Sequence, residues 1–301
     1  MHIPSAMLNG TICPVTATLS AAGISAATGY AIKSPNKPKA SWFAATASLI
    51  FAMQMLNFPI SGGTSGHLLG GVLAAALLGT PFGVLAMALV IATQTLLFSD
   101  GGLAVLGANI FNMAVIGAGV GGILRTQLIA RGKANRHLAT AMAAWVSVIL
   151  ASCAVSAELA FSGKIAFSQV LPAMLGTHAL IGIGESAITL AFCMLLSRQD
   201  LTLQVRAKAS IALPASILVA IMAAPFASSL PDGLEALATR FNLIHNTAPA
   251  FTALMPDYIF PFVNNTMLAT LLAAGIGAAT VFGGAWILAR MLYGCKHYNK
   301  I

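Results

Sequence analysis

Charge is what this sequence has least of. Only 7% of its 301 residues are charged, against roughly 25% in a soluble globular domain, so a water-soluble fold is excluded. Its four cysteines, Cys13, Cys153, Cys193 and Cys295, show no Cys-x-x-Cys spacing and fall mostly within apolar runs. That removes a disulfide framework and a thiolate zinc site and leaves them as small apolar packing residues. No Gly-x-x-x-x-Gly-Lys-Ser/Thr occurs, and Ser162-Gly163-Lys164 lacks the upstream glycine, so the chain has no phosphate-cradling loop for ATP hydrolysis. It also offers no nucleophile with a paired base, which argues against an enzyme. A secretory signal peptide needs positive charge ahead of its apolar core, and no Lys or Arg precedes Lys33. Met1 is therefore expected to remain the mature terminus, with the bulky His2 shielding it from trimming.

What is present is hydrophobic: 58% of the residues. Runs long enough to approach a bilayer crossing, about 20 residues, fall at 13–31, 42–56, 67–78, 82–98, 103–124, 138–159, 169–196, 211–227 and 267–292. They predict an all-α polytopic transmembrane bundle of about nine helices. The run 67–78 is short, which implies a tilted or partly re-entrant helix. An odd number of spans puts the termini on opposite faces. With the N-terminus outside and the C-terminus in the cytoplasm, thirteen Lys and Arg lie inside and only Lys164 and Arg240 outside, in agreement with the positive-inside rule. The net charge of +8 is thereby explained without nucleic acid.

The same topology places Met1, His2 and the loop before His67 on the outer face. A Met-His terminus offers one metal ion the α-amine, the His2 amide and the His2 imidazole Nδ1. Amine and amide close a five-membered chelate ring, and amide and Nδ1 a six-membered one, so the three donors are nearly coplanar. Four nitrogens in a square plane suit Ni(II) or Cu(II), and His67 is the candidate for the fourth corner. The segment Asn57-Phe58-Pro59-Ile60-Ser61-Gly62-Gly63-Thr64-Ser65-Gly66-His67 reads as a non-helical loop, interrupted by Pro and loosened by Gly. At membrane depth it must be buried in protein or line a cavity, and it is expected to deliver His67 to the start of a helix.

Met1-His2-Ile3-Pro4, Gly62-Gly63-Thr64-Ser65-Gly66-His67-Leu68 and the stretch from Asp100-Gly101-Gly102 to Asn109-Ile110-Phe111-Asn112-Met113 resemble the nickel/cobalt substrate-binding component of energy-coupling factor transporters, the cobalamin-biosynthesis M protein family. The resemblance covers residues 1–208 and implies a seven-helix core whose N-terminal segment dips into the membrane. It implies metal, Ni(II) or Co(II) as cargo, bound by the Met1 amine, the His2 amide and imidazole, and His67. It also implies a prokaryotic plasma membrane location, a membrane coupling protein and two cytoplasmic ATPases as partners, and no organic cofactor. The family commonly carries an acidic residue and a glycine after its Met-His-Ile-Pro start, where this chain has Ser5-Ala6. Pro231-Asp232-Gly233-Leu234-Glu235 resembles the motif of the small two-helix partner of such systems. Residues 209–301 would then be that partner fused on, its outer loop lying over the metal-loading face. Without the resemblance, Pro-Asp-Gly is simply good turn chemistry.

Ser65, Asp100, Asn109 and Asn112 are candidates to support the ligands, since a metal-bound imidazole usually donates its free N–H to a polar group; ordinary interhelical hydrogen bonding is the alternative. His178 and Glu185 share a helix face seven residues apart, with Glu158 near the end of the preceding span. They read as structural packing or as an alternative metal path. His137, His245 and His297 are expected in solvent. Met53 and Met55 alone among the methionines fall near the site. Two small-residue stripes, Ala44-Ser48-Ala52 and Gly23-Ala27-Ala31, suit either a coupling partner or internal packing.

The expected function is capture of a divalent transition metal for ATP-driven import, nickel ahead of cobalt. Because amine and imidazole must lose protons to bind, affinity is expected to fall on acidification. A stand-alone carrier or channel is the competing class, and a membrane enzyme of cobalamin assembly a third. Deleting 231–235 is expected to reduce metal uptake while sparing assembly of the chain. Unchanged uptake would remove the assisting role of that motif.

Overall fold

The computed structural model describes residues 1–55, 57–132, 135–197, 230–243 and 251–294, together with positions 214, 217, 218, 221 and 222. Helix α1 (Ile12–Lys33) stops where Ser34-Pro35 forces extended backbone, and α2 (Ala40–Gln54) begins after Pro38. A hairpin follows, β1 (Asn57–Ile60) paired antiparallel with β2 (Thr64–His67), with Asn57 opposite His67 and Ile60 opposite Thr64. Gly62 and Gly63 turn the corner at φ 83° and 73°, values that cost glycine little. Then come α3 (Gly71–Leu78) and α4 (Thr80–Phe98), joined at Gly79. The next crossing is composite: a 3-10 turn (Leu103–Val105), α5 (Leu106–Ile110), a π-helical stretch (Phe111–Val120) and α6 (Gly121–Ala130). Helices α7 (Arg136–Phe161) and α8 (Phe167–Ser197) pair closely. The short α9 (Gly233–Arg240) and the long α10 (Thr266–Gly294) complete the described chain.

The fold is a helical transmembrane bundle, with one small hairpin added to the expected helices. Among the described residues, six helices are long and apolar enough to span a membrane: α1, α4, the composite segment, α7, α8 and α10. Two of the expected runs form helices shorter than a full crossing, the run 67–78 among them as expected. Helix α2 has 15 residues, about 22 Å at 1.5 Å per residue, and α3 has eight, so neither alone matches a hydrocarbon core of about 30 Å. The run expected at 211–227 lies outside the described residues apart from its isolated positions, all helical. The expected boundary at 208/209 also lies outside them, as do Cys295, His245 and His297. His67 does not open a helix either. It ends β2, and Gly70, at φ 78°, turns the chain before α3 starts at Gly71.

Small residues set the helix spacing. The nearest backbone atoms of Gly117 and Ala118 lie 2.5–2.6 Å from where a side chain on Gly71 would begin, and Ala17 stands as close to Gly107. Close backbone approach of this kind is how helices associate in lipid, where the hydrophobic effect offers no drive between them. Both small-residue stripes are used internally. Ala44, Ser48 and Ala52 are fully buried, and the Ser48 hydroxyl donates to the Ala278 carbonyl of α10 at 2.8 Å. Gly23 lies against Val115, and Ala27 and Ala31 are buried. Large apolar side chains such as Leu19, Ile123, Ile183 and Ile287 are left exposed on the outside, the surface a bilayer would cover.

Gly71→Ala is expected to destabilise the bundle by about 1–3 kcal/mol through overpacking. Gly29→Ala meets nothing within 4 Å and should leave stability unchanged or slightly higher. Thermal unfolding of the detergent-solubilised variants checks both.

Candidate metal centre

Eleven residues precede α1, and their beginning is inside the protein. Met1, His2 and Ile3 are buried, as are Met7 and Leu8. A buried extended segment must satisfy its amides and carbonyls, and the composite crossing does this. The Asn109 side chain accepts from the Ile3 N–H (2.8 Å) and donates to the Ile3 carbonyl (3.2 Å), while the Gly102 N–H donates to that same carbonyl (2.9 Å). Gly102 is required here. A Cβ at this position would stand 2.1–2.5 Å from Ser5, so Ser5 is pressed against Gly102 in a turn closed by Met7 N–H to Pro4 carbonyl at 3.0 Å.

The terminus thus reaches His67. The Met1 terminal nitrogen contacts His67 Nε2 and donates to Asp232 Oδ2 at 3.0 Å, and His67 Nε2 lies 3.6 Å from that same oxygen. His67 Nδ1 faces the Leu68 carbonyl at 3.0 Å. This fixes the ring with Nδ1 as the donor and Nε2 free to accept. The His2 ring stacks on that of His67, centroids 5.4 Å apart and planes 23° apart. His2 Nε2 meets Gln94 Oε1 at 3.0 Å and His2 Nδ1 meets Asp100 Oδ1 at 3.3 Å. Burial pushes the His2 imidazole down to about 4, against the pull of Asp100 in the other direction. At neutral pH the ring therefore carries one proton but faces two acceptor oxygens. With the proton on Nε2 and given to Gln94, the lone pair is on Nδ1, the atom that chelation by a Met-His terminus needs.

The loop carrying His67 is held from both sides. Buried Glu185 accepts the successive N–H groups of Leu69 and Gly70 at 2.6 and 2.9 Å. On the other side, the Ser65 N–H donates to the Pro231 carbonyl (2.8 Å) and its hydroxyl to the Leu230 carbonyl (2.7 Å). The residues after Pro231 begin α9 with a capping box: the Asp232 side chain accepts from the Glu235 N–H, and the Glu235 side chain accepts from the Asp232 N–H. This is the device that Asp-x-x-Glu ahead of a helix encodes. It leaves Oδ2 of Asp232 for the terminus. Burial alone would raise the Asp232 carboxyl, but the positive charge of the Met1 terminus beside it holds it well below the usual carboxylate range.

Sequence reasoning brought Met1, His2 and His67 to one place, and the structure has them in contact. Of the supporting candidates, Asp100 touches His2, whereas Ser65 ties the hairpin to the 230–232 segment. Of the two readings of Asn109 and Asn112, hydrogen bonding within the bundle is the one their contacts fit. Asn109 is committed to the Ile3 backbone, and Asn112 donates to Glu158 at 2.8 Å. His178 Nδ1 bonds the Met174 carbonyl of its own helix at 2.9 Å, and His137 is exposed. Gln94, in the middle of an apolar helix, carried no sequence signal. Glu185 stood out as packing or a metal path and Asp232 as part of a motif over the metal-loading face, but their bonds to the His67 loop and to the terminus were not foreseen. Among the described residues no three His, Cys, Asp or Glu side chains are grouped to hold a metal ion.

Asn109→Ala would leave the buried Ile3 N–H without a partner, at a cost of about 1–3 kcal/mol. The terminus should then open, measured as faster removal of Met1 by an added aminopeptidase.

Residues 2–203 match the family described as cobalt uptake substrate-specific transmembrane region, and residues 206–294 match the PDGLE domain. The putative fused nickel transport protein NikMN of Archaeoglobus fulgidus is 36% identical over 301 residues, covering 96% of this chain and 98% of its own. The fused nickel transport protein NikMN of Rhodobacter capsulatus is 25% identical, with 94% and 96% covered. The crystal structure of a truncated transition metal transporter superposes with a TM-score of 0.60 at 30% identity, covering 66% of this chain and 99% of that one. Matched over two thirds of its length, the chain belongs to the cobalt uptake substrate-specific transmembrane family and carries a PDGLE domain in the same polypeptide.

Proposed function

We propose that this chain is the substrate-binding membrane component of an ATP-driven importer for Ni(II) or Co(II). The observation that carries the proposal is the buried contact of the Met1 terminal nitrogen with His67 Nε2, under a stacked His2 ring. The Met1 amine, the His2 amide and Nδ1, and His67 Nε2 make four nitrogens of the kind that suits a square-planar ion. Gln94, accepting from His2 Nε2, keeps Nδ1 available for the ion, and Asp100 beside Nδ1 adds a negative charge that favours a cation there. Asp232 holds the amine in place until the metal arrives. The names of similar proteins, nickel and cobalt transport among them, support the same cargo.

Nickel is the first choice because of the planar nitrogen set and the fused partner region. Raw affinity would favour copper over nickel and nickel over cobalt, so transport selectivity must come from the shape of the cavity and the metals on offer. With no nucleotide-binding loop in the sequence, the energy comes from a membrane coupling protein and two cytoplasmic ATPases. The chain itself is not an enzyme. Residues 1–208 form the metal-binding part and 209–301 the partner-like part, in a prokaryotic plasma membrane with the N-terminus outside. A stand-alone carrier is the competing reading, and metal uptake without any ATPase partner would favour it.

Purified full-length protein loaded with nickel is expected to hold a diamagnetic, yellow Ni(II). That species should be lost both in His67→Ala and when one residue is inserted between Met1 and His2. Retention of the spectrum in either variant, read with the metal content, overturns the ligand set.

A further inference from the structure

Asn112 and Glu158 are polar side chains inside the bundle that the metal centre does not use. They join the composite crossing to α7, with Asn112 Nδ2 donating to Glu158 Oε2 at 2.8 Å. Asn112 is fully buried and Glu158 is 3% exposed. Each nevertheless keeps one buried oxygen without a hydrogen-bond partner, Oδ1 of Asn112 and Oε1 of Glu158. Both oxygens are acceptors, so what the pair lacks is a donor.

The pair also lacks a counter-charge. Among the described residues no Lys, Arg or His forms an ion pair with Glu158. The π-helical stretch Phe111–Val120 has no titratable side chain, α8 has none before His178, and α1 has only Cys13 before Tyr30. Cys13 is near enough to feel a charge on Glu158, and Lys164 lies in the turn beyond α7. An ionised carboxylate buried without a cation is costly, in protein or in membrane. A water molecule donating to both oxygens would leave that charge in place. A proton on Oε1 removes the charge and turns Oε1 into the donor that Oδ1 of Asn112 lacks.

We propose that Glu158 and Asn112 form a proton-binding site, a neutral carboxyl and an amide joined by two hydrogen bonds, Oε1–H to Oδ1 and Nδ2–H to Oε2, which clasps the chain terminus in its seat. Asn109, which holds the Ile3 N–H and carbonyl, lies three residues before Asn112 in the same crossing. Ser162, one turn beyond Glu158, exchanges bonds with the backbone of Asn9, so the terminal segment meets the outer end of α7 as well. With the proton in place the crossing is docked on α7. Loss of the proton sets a carboxylate against Oδ1, cancels one bond and leaves a buried charge, so the crossing loosens and the seat of Met1 opens. The closed form holds a proton that the open form releases, and rising pH therefore favours opening.

The test compares full-length wild type with Glu158→Gln in detergent. Gln keeps both bonds, since its amide donates to Oδ1 and accepts from Nδ2, so folding is spared. At pH 7 the infrared difference between the two proteins is expected to contain the carbonyl stretch of a neutral carboxyl group, present in the wild type and shifted in heavy water. Removal of Met1 by an added aminopeptidase is then followed in both proteins as pH is raised. The ratio of the two rates cancels the pH dependence of the peptidase and of the Met1 amine. That ratio, wild type over Glu158→Gln, is expected to rise at least about tenfold between pH 6 and pH 9. Neither readout needs a metal. Absence of the carboxyl band overturns the proton site, and a flat ratio overturns the clasp. Sodium-dependent protection of Met1 that Glu158→Gln lacks would assign the two oxygens to a metal cation and overturn the proton site as well.

Discussion

Everything near the candidate centre depends on one constraint: a chain terminus is buried. A terminal amine carries charge, and taking a charge out of water is expensive unless a counter-charge and hydrogen bonds meet it. Asp232 supplies the counter-charge at 3.0 Å, and Asn109 and Gly102 satisfy the backbone two residues on. Neither group belongs to the segment it serves. One comes from the composite crossing and the other from the start of α9, so the terminus can be seated only when the bundle is assembled.

The hairpin obeys a related rule. Irregular backbone inside a membrane protein survives where it is covered by protein, and each side of this hairpin's second strand is claimed. Glu185 of α8 takes the two amides just beyond His67, and the 230–231 carbonyls take the Ser65 amide and hydroxyl. Gly66 makes room for Ile181 of the same helix. His67 is therefore carried by a segment fixed at both ends, and its imidazole is oriented by the adjacent Leu68 carbonyl. A ring held in this way can present Nε2 to one place only.

Much of this was legible in the sequence, and what escaped it shares a cause. Hydropathy located the long helices because lipid imposes length and composition, and the Met-His terminus and His67 stood out because chelation by an N-terminus is a local property of two residues. Local patterns could not reveal pairings set by packing. Gln94 sits among apolar neighbours in α4 and gains its meaning only from the His2 ring opposite. Asn109 and Asn112, three residues apart, were expected to act alike. The π-helical stretch that begins at Phe111 falls between them and breaks the regular helical spacing on which that expectation rested. One asparagine meets Ile3 and the other Glu158. The left-handed Gly70 likewise moved the start of α3 beyond His67, a boundary that hydropathy cannot register.

The position of Asp232 bears on why a PDGLE region should share a chain with the metal-binding bundle. A carboxylate that neutralises the Met1 terminus also lies 3.6 Å from His67, and so touches two of the proposed ligands at once. Remove it, and the amine is left buried without a counter-charge, a loss that typically exceeds what the intact pair contributes. Seated, it holds the amine beside His67 and presents a negative charge to an arriving cation. Under the proposed ligand set a cation on the amine would put its own positive charge beside the same carboxylate, so Asp232 faces a positive centre whether the amine is free or bound. Physical linkage in one polypeptide keeps that carboxylate at high local concentration beside the terminus.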